Sequence, residues 1–183
     1  MPTDLSIVIV NWNVVDLLRD CLTSIYGATG ARRDAAGDLW LGPYATQIIV
    51  VDNASSDGSV AMLGAEFPAI ERIVSEVNLG FTGGNNLALG HCQGRYVLLL
   101  NPDTRVIDDA LTVMVDYMEA HPQVGVIGPR LLYGDGDLQS SRRRFPTLMT
   151  AFMESTLLHQ WFPRNRWARV YHMEDTPDDE IVY

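Results

Sequence analysis

The chain has little cysteine, no excess of positive charge and no long apolar run, and each scarcity removes a class of protein. Two cysteines in 183 residues, Cys21 and Cys92, make no disulfide framework. Both fall within apolar helical patterns, which fits a reducing compartment. No apolar stretch approaches the roughly 18 residues of a membrane span. The opening MPTDLSIVIV has no basic segment ahead of its apolar run, so a signal peptide is not expected. A formal net charge of −10 argues against general binding to nucleic acid, whose phosphates need Lys and Arg. His91, His121, His159 and His172 show no zinc-like spacing with either cysteine. No nucleophile elbow is present. These absences lead to the expectation of a cytoplasmic protein without a nucleic-acid partner.

What is present suits a soluble globular chain: 47% apolar and 20% charged residues, with length for one core and a small appendage. The charge is unevenly spread. Glu174, Asp175, Asp178, Asp179 and Glu180 crowd the last residues, and Arg142, Arg143, Arg144, Arg164, Arg166 and Arg169 precede them. Such a basic segment can meet an anionic membrane surface or a pyrophosphate, or serve as a solvated face. Trp161, Phe162 and Trp167, interleaved with it, read either as a lipid-facing or sugar-stacking edge or as domain packing.

Four apolar runs recur, at Ser6–Val10, Gln47–Val51, Ile70–Ser75 and Tyr96–Leu100, with helical patterns between them. This alternation predicts an α/β fold whose sheet is mostly parallel, with helices on both faces. Their continuous hydrophobicity predicts strands covered on both sides. The first helix is expected to start near Asn13 as its cap, to bury Leu18, Cys21, Leu22 and Ile25, and to stop at Gly27. A second follows Asp57 with Val60, Leu63 and Phe67 on one side. A third spans about Thr82 to Cys92. A fourth begins after Asp108 or Asp109, buries Leu111, Met114, Val115 and Met118, and ends before Pro122. The stretch from Ala28 to Ala45 reads as an excursion packed by Trp40, Leu41 and Tyr44. Beyond Gly125, GVIGPRLL can supply a further strand or two, Gly134 to Asp137 a turn, and Phe152 to Trp161 a helix.

In an open α/β sheet, ligands sit beyond the carboxyl ends of the strands. All four predicted strands end there in polar residues: Asn11 and Asn13; VDNASSDGS, Val51 to Ser59; NLGFTGGNN, Asn78 to Asn86; and Asn101-Pro102-Asp103. Asp52 is expected near that rim, able to accept from an N–H or a ribose hydroxyl, while Asp57 divides between helix cap and ligand. Gly80, Gly83 and Gly84 permit close approach of backbone to a ligand or tight packing on the sheet. The segment is neither the GxGxxG fingerprint nor a Walker A sequence. Asn85 and Asn86 are costly within a helix unless their amides have partners in a ligand or a neighbouring loop. Asp103, with Asn101 beside it, supplies oxygen ligands suited to Mg²⁺ or Mn²⁺ when a bound diphosphate completes the shell.

SIVIVNWN, VDNASSDGS, NLGFTGGNN and LLLNPDT, in that order over roughly Ser6 to Arg130, resemble the nucleotide-sugar half of the inverting family 2 glycosyltransferases. The likeness is greatest to the rhamnosyltransferase-like branch that acts in bacterial cell-surface polysaccharide synthesis. The resemblance implies a GT-A fold, a nucleoside-diphosphate sugar donor, a divalent cation, and transfer with inversion to a saccharide or lipid-linked saccharide acceptor. It places Val10 and Asn11 at the nucleoside pocket and Asp52 on the base. Asn86 falls on the asparagine closing the glycine-containing segment. Asn78, Gly80, Gly84 and Asn101 join the donor site. Asp103 carries the metal contact, since Asn101 stands where the family's first motif carboxylate would be.

Residues 1–130 are thus expected to form the donor-binding core and 131–183 to begin the acceptor side. The chain ends at DDEIVY, about where the resemblance puts the segment bearing the general base. The expectation is therefore a C-terminally incomplete fold that binds donor, with the base outside it or, failing that, in the cluster from Glu174 to Glu180. Contact with the inner face of a membrane and self-association through an uncovered edge complete the expected partners. Two alternatives are a donor-binding fragment without turnover and a nucleotidyltransferase; against the latter, Asn11-Trp12-Asn13 stands where a basic phosphate loop would be.

Overall fold

The computed structural model describes residues 2–139, 141, 143–156, 166–171 and 173. It divides into two compact units, Met1–Ile127 and Gly128–Tyr183. The first is built on a six-stranded sheet. Its strands are β1 (Leu5–Asn11), β2 (Ala31–Arg33), β3 (Leu39–Leu41), β4 (Tyr44–Asn53), β5 (Glu71–Ser75) and β6 (Tyr96–Leu100). β1 lies between β4 and β6, parallel to both, and β5 runs parallel to the second half of β4. The Ala28–Ala45 excursion turns out to be sheet. β2 and β3 form an antiparallel ribbon, and β3 pairs with the first half of β4.

Helices α1 (Val15–Tyr26), α2 (Ser59–Glu66) and α4 (Ala110–Ala120) cover one face. α1 buries Leu18, Cys21, Leu22 and Ile25, the predicted stripe, against Ile7, Ile9, Ile48 and Val50. Each such side chain is worth roughly 1.5–3 kcal/mol on burial, so a charge at Leu22 would unseat the helix. α2 departs from its expected face: Met62 and Leu63 are buried, whereas Val60 is exposed. In α4 Leu111 and Val115 are buried, with Met114 and Met118 half-buried beside them. On the other face, among the described residues of the first unit, lies α3 (Gly80–Leu89), with Ala88 packed on Val8, Ile49 and Val51.

That imbalance corrects the expectation of a sheet covered throughout. β1 and β4 are buried on both faces, but β5 and β6 alternate. One helix spans only the middle of its face, so Val74, Val97 and Leu99 stand exposed.

The second unit contains the two-residue strands β7 (Leu131–Leu132) and β8 (Leu138–Gln139), which pair antiparallel. The predicted Gly134–Asp137 turn joins them, closed by the Gly136 N–H donating to the Tyr133 carbonyl. Helix α5 (Leu148–Ser155) packs on α6 (Arg166–Tyr171). Thr147 and Thr150 cap α5 reciprocally, placing its start four residues before the expected Phe152. Of the stretch 125–132, expected to supply a strand or two, Leu131–Leu132 is strand and 125–130 is not. Arg142, Trp161, Phe162, Arg164 and the carboxylates Glu174, Asp175, Asp178, Asp179 and Glu180 lie outside the described residues.

Candidate functional site

The strand register assembles the rim. Asn11, the last residue of β1, pairs with Asp52 on β4, and Ile9 pairs with Leu100, so Asn101 follows level with Val10. β4 and β6 both flank β1, which spaces their ends roughly 10 Å apart at one strand spacing per step. The polar ends of β6, β1, β4 and β5 therefore lie on one edge.

Asn11 is fully buried. Its Nδ2 donates to Asp52 Oδ1 at 2.9 Å and to Ser55 Oγ at 3.1 Å, while its Oδ1 is buried with no hydrogen-bond partner among the described residues. Asp52 is 1% exposed, and its Oδ2 accepts from the Ser55 N–H at 2.9 Å. The expectation of a carboxylate presented to ligand meets a buried group with both oxygens engaged; what Asp52 does directly is tie β1 to the 52–57 loop. Asn13 does not cap α1. It sits in the left-handed region at φ 54°, and its Oδ1 accepts from the Ser56 N–H at 2.7 Å. The free end of α1 is served from 42 residues away: Asp57 Oδ2 accepts from the Val15 N–H at 2.8 Å. Asp57 Oδ1 accepts from both the N–H and the hydroxyl of Ser59, at the start of α2. Asp57 is thus a helix-start residue twice over.

Asn53, which no sequence signal singled out, locks the third loop. It is 2% exposed; its Nδ2 donates to Asn78 Oδ1 at 2.9 Å and the Gly80 carbonyl at 3.2 Å, and its Oδ1 accepts from the Leu79 N–H at 2.8 Å. Asn78 Oδ1 also accepts from the Gly80 N–H. Gly80 takes φ +70°, a conformation that favours glycine, and a Cβ there would meet open space. Gly84 serves packing: its Cβ would come within 2.7 Å of Val10 Cγ1, so α3 rests directly on β1. Asn85 is buried and satisfies its amide within α3, donating to the Phe81 carbonyl at 2.9 Å. Asn86 is exposed on α3, with no side-chain hydrogen bond among the described residues.

After β6, Asn101-Pro102-Asp103-Thr104 makes a turn in which the Asn101 carbonyl accepts from the Thr104 N–H at 3.2 Å. Asn101 and Asp103 are exposed. Burial pushes the Cys21 thiol up to about 11, leaving a neutral group beneath Asn101. Among the described residues no three His, Cys, Asp or Glu side chains gather as a metal cluster. The donor set at 101–103, one carboxylate and one amide oxygen, fits a hard cation only when phosphate and water supply the other positions.

Trp12 was also missed. It follows Asn11 and is 56% exposed at the same edge; a large aromatic between two asparagines at a strand end was the available signal. His91 lies away from the rim, its Nδ1 2.7 Å from Glu71 Oε1. Two clefts, of about 380 Å³ beside Tyr26, Arg33 and Phe67 and of about 310 Å³ along β6 and α4, are lined by no rim residue.

The family model for Glycosyl transferase family 2 matches residues 6–176, and the chain belongs to that family. An N-acetylglucosaminyl-diphospho-decaprenol L-rhamnosyltransferase of Mycobacterium tuberculosis is 27% identical over 138 residues, covering 69% of this chain and 45% of the relative. Succinoglycan biosynthesis protein ExoO of Rhizobium meliloti is 29% identical over 120 residues, 61% of this chain and 34% of the relative. The chain thus spans less than half the length of these curated relatives. Among solved structures, S. aureus TarS 1-349 in complex with UDP superposes with a TM-score of 0.53 at 18% identity, over 66% of this chain and 33% of that one. The mannosyltransferase PcManGT from Pyrobaculum calidifontis, in complex with GDP-Man and Mn²⁺, gives 0.52 at 22% identity, over 68% and 34%. Both likenesses identify the fold as that of the GT-A glycosyltransferases, as expected from the sequence.

Proposed function

We propose that the chain binds a nucleoside-diphosphate sugar at this rim, as the donor half of an enzyme that transfers the sugar to a hydroxyl with inversion, in cell-surface polysaccharide synthesis. The observation that carries the reading is the register bringing Asn11, Asp52 and Asn101-Pro102-Asp103 to one edge in a family 2 chain. Residues 1–130 form the proposed donor core and 131–183 the start of the acceptor side. Trp12 offers an apolar face to the base. Val10 and Asn11 floor the pocket, Asp52 acts through Asn11 and Ser55, and Asn78, Gly80, Gly84 and Asn86 shape its α3 side. Asp103, with Asn101 beside it, would hold Mg²⁺ or Mn²⁺, and the ion would supply positive charge to offset that on the leaving diphosphate. The acceptor oxygen bonds to the anomeric carbon as the bond to the diphosphate oxygen breaks, and a carboxylate yet to be assigned takes the hydroxyl proton.

The name of the M. tuberculosis relative favours a lipid-linked saccharide acceptor. Exposed Arg144 and Arg166 with exposed Phe145, Leu148, Phe152 and Trp167 suit an anionic membrane face in the second unit. No described helix is long and apolar enough to cross a membrane.

Calorimetry with UDP, dTDP and GDP, each with and without Mn²⁺, tests the donor site. Binding of at least one nucleotide is expected to tighten at least ten-fold with the metal, and Asp103→Ala to abolish that gain. Metal-dependent binding unchanged in D103A removes Asp103 from the site. With the longer parent protein and an acceptor, release of nucleoside diphosphate supports sugar transfer, whereas release of pyrophosphate from a nucleoside triphosphate supports the nucleotidyltransferase alternative.

A further inference from the structure

Asp103 is exposed and has no hydrogen bond or ion pair among the described residues, so its place depends on the backbone to either side. Two fastenings hold that backbone. At one end, the Asn101 carbonyl accepts from the Thr104 N–H, from the Thr104 hydroxyl at 2.6 Å and from the Cys21 thiol at 3.8 Å. At the other, the Val106 N–H donates to Ser24 Oγ at 2.8 Å. Ser24 in turn donates its hydroxyl proton to the Cys21 carbonyl at 2.6 Å, which orients the oxygen that receives Val106.

The turn bond alone would set the shape of residues 101–104 without setting where the turn sits. The Ser24 bond fixes its position against α1, and α1 is anchored through Leu18, Cys21, Leu22 and Ile25 in the core. A hard cation takes ligands over a range of only a few tenths of an ångström, so a loop free to drift by about 1 Å loses the contact.

We infer that Ser24 and Thr104 are positioning residues for the Asp103 carboxylate, holding it where a cation bound with a nucleoside diphosphate can use it. The inference rests on the donor-site reading above. It extends the metal site to a hydroxyl on the first helix.

The test is Mn²⁺ uptake, read from the electron paramagnetic resonance signal of the free ion, by the chain saturated with UDP, dTDP or GDP. Wild type is compared with Ser24→Ala, Ser24→Thr, Thr104→Val and Thr104→Ser, and circular dichroism checks the fold of each. S24A and T104V are expected to weaken Mn²⁺ binding about five-fold, the size of one net hydrogen bond. S24T and T104S, which keep the hydroxyl, return to within about two-fold of wild type. Nucleotide affinity without metal stays unchanged throughout. Folded S24A and T104V that bind Mn²⁺ as wild type does, with only the melting temperature lowered, overturn the inference and leave a structural clamp. Should S24A not fold, T104V decides, since Thr104 lies in the loop rather than in the core-packed helix. Wild type that binds no Mn²⁺ with any of the three nucleotides sinks the donor-site reading and this inference together. Where wild type binds, the donor-site reading stands and the variants alone decide the inference.

Discussion

Asp57 joins two helix starts, and its proton equilibrium is part of that joint. Burial opposes its charge, but hydrogen bonds from the Ser59 hydroxyl and the Val15 and Ser59 N–H groups prevail and hold its carboxyl below the usual range. A depressed folded value means the stabilisation is complete above the unfolded carboxylate value near about 4 and disappears as pH falls through the folded one. Asp57→Ala is expected to cost about 1 kcal/mol at neutral pH, the lower half of the range for a lost helix cap because the group is solvent-screened. Thermal melts of both proteins from pH 7 to pH 2 check this: the gap between them should narrow below about pH 4. A gap constant across that range rules out the carboxylate as its source. Asp57 was legible only as an even choice between cap and ligand, because its partner Val15 lies 42 residues away. Asn53 was illegible for the same reason, its partners being set by how α3 docks on β4. Asp52 was placed correctly at the end of its strand, yet spacing cannot reveal that Asn11 and Ser55 use both its oxygens.

At the scale of elements, α3 shows how the rim depends on packing beneath it. Gly84→Ala sets two effects against each other: alanine favours the helix by roughly 1 kcal/mol, whereas overpacking costs roughly 1–3 kcal/mol. The added Cβ would lie 2.7 Å and 3.0 Å from the two γ-carbons of Val10, a β-branched residue on the central strand with little freedom to yield. The clash should win, by about 1 kcal/mol net, lowering the melting temperature by roughly 2–4 °C in a protein of this size. Val10→Ala removes the opposing methyl groups, so G84A in that background should be neutral or stabilising. Additive costs in the double-mutant cycle would show that the strain lies elsewhere. Periodicity exposed most of this level: the stripe on α1, the limits of β6 and the end of α4 are where apolar spacing put them. It failed at β5 and β6, where continuous apolar runs implied cover on both faces; a run records what a strand can bury, while the number of helices on a face decides what it does bury. It failed also for β2 and β3, whose mixed-charge, glycine-containing sequence gives three-residue strands little pattern to show.

At the scale of the whole molecule, both buried clusters of the sheet draw, among the described residues, on those between Leu5 and Val115. The rim residues from Val10 to Asp103, with the Ser24 clamp, lie within the same unit, Met1–Ile127. That length is enough for an independent core, since domains of roughly 100–150 residues are the common size. Residues 1–127 are therefore expected to fold alone, with a single cooperative urea transition. Their nucleotide affinity in the presence of Mn²⁺ should be within about three-fold of that of the 183-residue chain, because no proposed donor contact is removed. The exposed apolar residues Val97 and Leu99 make association a competing outcome, so melts at several protein concentrations must accompany the titration. A concentration-independent transition with retained affinity assigns donor binding to the first unit. A cooperative transition with binding lost means that the second unit supplies a donor contact, for which the basic segment from Arg143 onward is the place to look. Absence of any cooperative transition shows that the compact unit does not fold without residues 128–183, and the proposed division into donor core and acceptor side then fails.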